Sequence, residues 1–148
     1  MREELTDTFR LALEAAQSAA RDLNQDFVGT EHLMLGLLTT DGDAVRTMRA
    51  AHAEPPALAE ALRATLPRGE QPPVVTGSLP LSPKAQRLVN DAIVKAQAMR
   101  ESTVSTRFLL LSLLDEPRTA VRQALDSAGA DVDALLRKLA EKPATAEA

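Results

Sequence analysis

The chain has 148 residues and a mass of 15.9 kDa, with 17 basic and 21 acidic side chains and a formal charge of −4. An acidic chain whose only aromatic residues are Phe9, Phe27 and Phe108 lacks the basic stripe and the stacking platform of a nucleic-acid binder, and without Cys it has no thiol nucleophile, disulfide or thiolate metal site. Its 26 Ala and 23 Leu stand against 9 Val and one Ile, so an all-α fold is expected, with enough apolar material for a core that needs no metal or disulfide.

Met1-Arg2-Glu3-Glu4 carries acid where a signal peptide needs positive charge before an apolar run, and no window approaches the roughly 18 apolar residues of a membrane span. A cytoplasmic protein, with neither nucleic acid nor membrane as partner and without a cofactor, is expected. Thr6 caps a first helix, Asp7 complements its dipole, and Phe9, Ala12, Leu13, Ala16, Ala20 and Leu23 recur at steps of three and four, which predicts an amphipathic helix ending near Asn24. Thr30 is the expected cap of a short second helix, Leu33-Met34-Leu35-Gly36-Leu37-Leu38. It is apolar on nearly every side and must be buried on nearly every side, with Gly36 small where a neighbouring helix passes. Third and fourth helices are predicted over Asp43 to Ala51 and Pro55 to Leu66.

The stretch from Pro67 to Pro80 holds four Pro and two Gly, which no helix can cross. Beyond it the pattern returns. Ser82 and Pro83 open a helix striped by Ala85, Leu88, Val89, Ala92, Ile93, Ala96 and Met99; Thr106 precedes Leu109-Leu110-Leu111-Ser112-Leu113-Leu114; Thr119 to Ala128 and Asp131 to Glu141 complete the set. Val28 to Leu38 recurs as Val104 to Leu114 at a spacing of 104 − 28 = 76, with six of eleven positions identical. The expectation is a tandem duplication: a pseudo-twofold bundle of eight helices from two four-helix repeats in one domain, 1–148. Repeat 1 covers about 5–66, the linker 67–80, repeat 2 about 81–141 and a frayed tail 142–148.

The block Phe27-Val28-Gly29-Thr30-Glu31-His32-Leu33, the preceding Leu5-Thr6-Asp7, the opening Leu81-Ser82-Pro83-Lys84-Ala85 and the duplication resemble the N-terminal (Clp R) domain of the Clp family of AAA+ protein unfoldases, over nearly the whole chain. The resemblance implies a module that binds protein substrates and adaptors and delivers them to an ATPase ring. No Gly is followed by Lys, so the phosphate-cradling Gly-x-x-x-x-Gly-Lys-Ser/Thr loop is absent from these residues, and no catalytic constellation or metal-ligand spacing is present. A monomeric, non-catalytic interaction module is expected: a freestanding adaptor or competitor, or the N-domain of a longer unfoldase. Its partners would be substrates or adaptors of the unfoldase, or the unfoldase itself.

In some relatives the glutamate of this motif in each repeat belongs to a pocket for phosphorylated arginine. By that resemblance Thr30 and Glu31 mark one such site. The second repeat reads Thr106-Arg107, whose guanidinium would repel the ligand's own, so weak or lost phosphoarginine binding is expected. Without the resemblance, Glu31 is a first-turn carboxylate complementing a helix dipole. His32 is matched by apolar Phe108, which favours a packed, hydrogen-bonded imidazole over a metal ligand. The resemblance also implies a peptide or adaptor surface at Arg2, Leu5, Arg10, Leu13, Leu81 and Lys84. Relatives that dock cyclic-peptide antibiotics carry aromatic anchors there, where this chain has Arg2, Leu5 and Leu81; sequestration of such antibiotics is the alternative function.

Overall fold

A computed structural model describes residues 4–74, 76–116, 119–143 and 146–148; Arg2 lies outside them. Among these residues the helices are α1 (Asp7–Asp22), α2 (Thr30–Leu38), α3 (Asp43–Ala50), α4 (Pro55–Thr65), α5 (Pro83–Ala98), α6 (Thr106–Leu114), α7 (Ala120–Ser127) and α8 (Val132–Ala140). The two four-helix sets correspond closely. Thr6 and Ser82 each cap a 16-residue helix by accepting from the amide three residues on, at 3.0 and 3.1 Å. Both helices are followed by a residue in the left-handed region, Asn24 (φ 55°) and Arg100 (φ 57°), 76 residues apart.

The apolar helices α2 and α6 lie at the centre. Leu33, Met34, Leu35, Leu37 and Leu38 are buried, as are Phe108, Leu109, Leu110, Leu113 and Leu114, and both sets belong to a single connected core. Burying each such side chain contributes roughly 1.5–3 kcal/mol relative to leaving it exposed. Gly36 is small for the expected reason: a Cβ there would overlap the carbonyl oxygen of Ala12 and the backbone of Ala16, so α1 crosses α2 in close contact. The helices of the two halves interleave. α3 packs on α6 and α8, while α7 packs on α2 and α4, so each third helix covers the other half's central helix.

Two features depart from the sequence expectations. Thr30 and Thr106 are the first helical residues, and the caps are Gly29 and Ser105; His32 takes the capping role at α2, its Nδ1 accepting from Gly29 N–H at 2.8 Å. The fold also contains two-residue strands, β1 (Glu4–Leu5) and β2 (Thr103–Val104), paired in parallel with Leu5 opposite Val104. The mirrored bridge joins Leu81 to Val28. Thr6 N–H donates to Val104 at 3.1 Å and Ser82 N–H to Val28 at 2.8 Å, so the segment before each first helix satisfies its backbone on the other half.

Between α4 and α5 the linker is tied to α1. Gln17 holds Leu79 through both its amide groups, at 2.8 and 2.7 Å, Arg21 donates to Gly77 O, and Asn24 donates to Gly69 O at 3.1 Å.

Candidate functional site

Two clefts of about 180 Å³ each open at the N-termini of α2 and α6. The first is lined by Gln25, Phe27, Glu31, His32, Leu66, Pro67 and Ala120, among others. The second is lined by Glu101, Thr103, Arg107, Phe108, Lys142, Pro143 and Asp43, together with Ala146 and Glu147. The first six members of each set differ by 76 in residue number, so the clefts are equivalents under the pseudo-twofold relation. Ala120 and Asp43 are each the first residue of a third helix.

The chemistry of the two clefts differs. In the first, Glu31 is half-buried in the opening turn of α2, where the dipole favours a carboxylate, and Phe27 is 40% exposed beside it. His32 is buried against the edge of the Phe27 ring, 6.0 Å between centroids. Because Nδ1 accepts from Gly29, the proton sits on Nε2, which is buried and has no hydrogen-bond partner among the described residues. Burial holds the imidazole below the usual histidine range, and the adjacent Glu31 carboxylate offsets part of that shift. The packed, bonded histidine expected from the sequence is what the structure has. Among the described residues no group of His, Asp and Glu is arranged to hold a metal.

In the second cleft Arg107 is 2% exposed. Its guanidinium lies 4.4 Å over the Phe108 ring, Nη1 donates to Leu139 O at 2.8 Å and Glu141 O at 3.3 Å, and Nη2 reaches Glu101 at 3.5 Å. Arg107 thus binds carbonyls at the C-terminal end of α8, where the dipole favours a cation. Buried Asp43 accepts from Arg107 N–H at 2.7 Å and Ser105 Oγ at 2.6 Å.

Sequence reasoning missed Asp43 and Glu147. The segment expected to fray differs at Ala146–Ala148: the Glu147 side chain is 8% exposed and accepts from Thr6 Oγ1 (2.6 Å), Asp43 N–H (2.9 Å) and Thr106 N–H (2.8 Å). A Glu in an Ala-rich ending carries no local signal of burial, since its donors lie 41 to 141 residues away.

The remaining sequence candidates do not converge on either cleft. Leu5 and Leu81 occupy equivalent places in the two inter-half bridges. Arg10 is exposed and pairs with Asp7 of its own helix at 3.3 Å, Leu13 packs against the core, and Lys84 is exposed on the first turn of α5.

The sequence profile of the Clp repeat (R) N-terminal domain matches residues 4–125 and again 89–147. The chloroplastic chaperone protein ClpC1 of Oryza sativa subsp. japonica is 28% identical over 132 residues, 88% of this chain and 14% of that protein, so the chain spans about a seventh of that relative. The fold resembles the Hsp104 N-terminal domain from Candida albicans, with a TM-score of 0.78 and 19% identity over 94% of this chain and 91% of that one. It also resembles a ClpV N-domain solved in complex with a VipB peptide, with a TM-score of 0.68 and 20% identity over 94% and 91%. A profile match over nearly the whole sequence, on an eight-helix bundle with the duplicated architecture, places the chain in the Clp repeat N-terminal domain family.

Proposed function

We propose that this chain is a non-catalytic recognition module that binds protein substrates or adaptors of a Clp unfoldase. It acts in the cytoplasm, either as a freestanding adaptor or competitor or as the N-domain of a longer unfoldase. The observation that carries this reading is the cleft at the start of α2. Partly exposed Phe27 and half-buried Glu31 line one cavity with His32, an apolar wall with one acceptor suited to a peptide side chain, while the Nε2–H of His32 is itself buried. The ClpV N-domain structure with a VipB peptide supports peptide binding as a use of this fold. Glu31 is the residue proposed to contact the ligand there, with Thr30 buried beside it and not lining the cleft; Leu5, Arg10, Leu13, Leu81 and Lys84 remain candidates for a separate adaptor surface.

Affinity capture from the native lysate tests the reading. Wild-type chain should retrieve Clp ATPase subunits or their clients, and Glu31→Ala and Phe27→Ala should each reduce the yield. Recovery of neither class would count against it. Free phosphoarginine is expected to bind weakly or not at all, because the second cleft presents buried Arg107 where the first has Glu31. Saturable micromolar binding abolished by Glu31→Ala would reverse that expectation.

A further inference from the structure

We propose that the second cleft, where the N-termini of α3 and α6 meet, is a docking site for acidic protein segments that this chain's own Ala146–Ala148 occupies in cis. This deepens the reading above by naming the partner chemistry of one cleft, and it rests on that reading only in taking a protein segment as the ligand.

The site is assembled from three helix starts. Thr6, the cap of α1, donates its hydroxyl to Glu147 Oε2; the first amides of α3 and α6, Asp43 N–H and Thr106 N–H, donate to Oε1 and Oε2; and Thr106 Oγ1 lies 2.5 Å from Oε1. First-turn amides have no partner inside their own helices and sit at the positive end of the dipole, so they are matched to a carboxylate. Asp43 shares only the Thr106 hydroxyl with Glu147, at 3.0 Å; otherwise its carboxylate is turned to Arg107 N–H and Ser105 Oγ. Recognition extends to the peptide backbone: Thr8 N–H and Thr8 Oγ1 both donate to Ala148 O, at 3.0 and 2.8 Å. A carboxylate side chain followed one residue on by a main-chain oxygen is what a short acidic segment offers.

Gly42 makes room for the arrangement, since a Cβ there would overlap both Glu147 Oε1 and Thr106 Oγ1. A broader depression of about 470 Å³ adjoins the cleft, sharing Asp43, Lys142 and Pro143 with it; Lys138, Glu141 and Arg46, which pairs with Asp41 at 3.7 Å, also line it. Helix starts of this kind recur in both halves, but the carboxylate that meets them does not. The residue 76 before Glu147 is Gln71, exposed in the linker, and the first cleft has Ala120 in place of Asp43. A tethered segment acts at high effective concentration, so it latches the cleft until an acidic segment of a partner displaces it.

Fluorescence anisotropy with a labelled heptapeptide of residues 142–148 tests this on the full chain. The Glu147→Ala chain, with its latch released, should bind the peptide about ten-fold or more tightly than wild type does, because wild type must first release its tethered copy. A peptide with Gln in place of Glu should not bind, and adding Gly42→Ala to the released chain should abolish binding. A folded Glu147→Ala chain that ignores the peptide, or that binds the Gln peptide equally well, would overturn the proposal. If circular dichroism shows Glu147→Ala unfolded, Glu147→Gln, which keeps the shape and loses the charge, is read by the same criteria. Capture of Clp components is scored separately, so either reading can fail alone.

Discussion

His32 is held uncharged by its surroundings, and this has a consequence for stability. With its folded pKa depressed by burial, neither state is protonated well above the ordinary value of about 6.5; as pH falls through that value the unfolded chain takes up a proton that the folded chain refuses. Stability is therefore lost on acidification. His32→Phe, the residue found at equivalent Phe108, should lose less stability between pH 7 and pH 5 than wild type. Urea denaturation across that range checks it, and identical pH dependences would show that His32 does not couple to folding. The variant also removes the acceptor for Gly29 N–H, a pH-independent loss that the comparison of slopes cancels. A second residue-scale test uses the turns after the third helices, where His52 (φ 60°) and Gly129 (φ 75°) are both left-handed. Gly129→Ala should destabilise by about 1 kcal/mol, and His52→Gly should be neutral or slightly stabilising, read as shifts in the denaturation midpoint.

At the scale of elements, the close approach of α1 to α2 depends on Gly36. Gly36→Ala should destabilise by about 1–3 kcal/mol through overpacking, because the added methyl meets backbone and cannot be relieved by a rotamer change. Ser112, its counterpart in α6, is fully buried with an Oγ that has no partner among the described residues, so Ser112→Ala should cost little or be stabilising. Calorimetry on both variants would separate the two helix pairs; equal losses would mean that Gly36 is not a close-packing position. Arg107 joins elements that are distant in sequence. Arg107→Glu, which repeats the glutamate of Glu31 in the second half, would leave the end of α8 without its cation and set a carboxylate beside buried Asp43. A loss of about 3 kcal/mol or more is expected, with no gain of phosphoarginine binding, read by urea denaturation and by titration. Much of this level was legible in advance: the helices lie within a residue or two of their predicted ends, because caps, Pro at first positions and the three-and-four spacing are local signals. The mutual bonding of Arg107, Asp43 and Glu147 was not, because each partner lies more than 30 residues from the next.

At the scale of the molecule, the two halves share one core and exchange both their third helices and their leading segments. Unfolding should therefore be a single cooperative transition, with Leu37→Ala in one half and Leu113→Ala in the other each shifting the whole transition by about 2–5 kcal/mol; two resolved transitions in urea would contradict it. The sequence by itself determined the helical class, the duplication and the burial of α2 and α6, since composition, a 76-residue spacing and continuous apolar runs depend only on the order of residues. It also marked Thr30 and Glu31 at one helix start. The contrast between Glu31 and Arg107 was legible too; only the tertiary structure decided that these residues line two equivalent clefts, and that Glu147 and Asp43 are buried in one of them. Helix-end amides and hydroxyls acquire a partner only when separate helix starts are brought together, and no local pattern in the chain encodes which carboxylate will meet them.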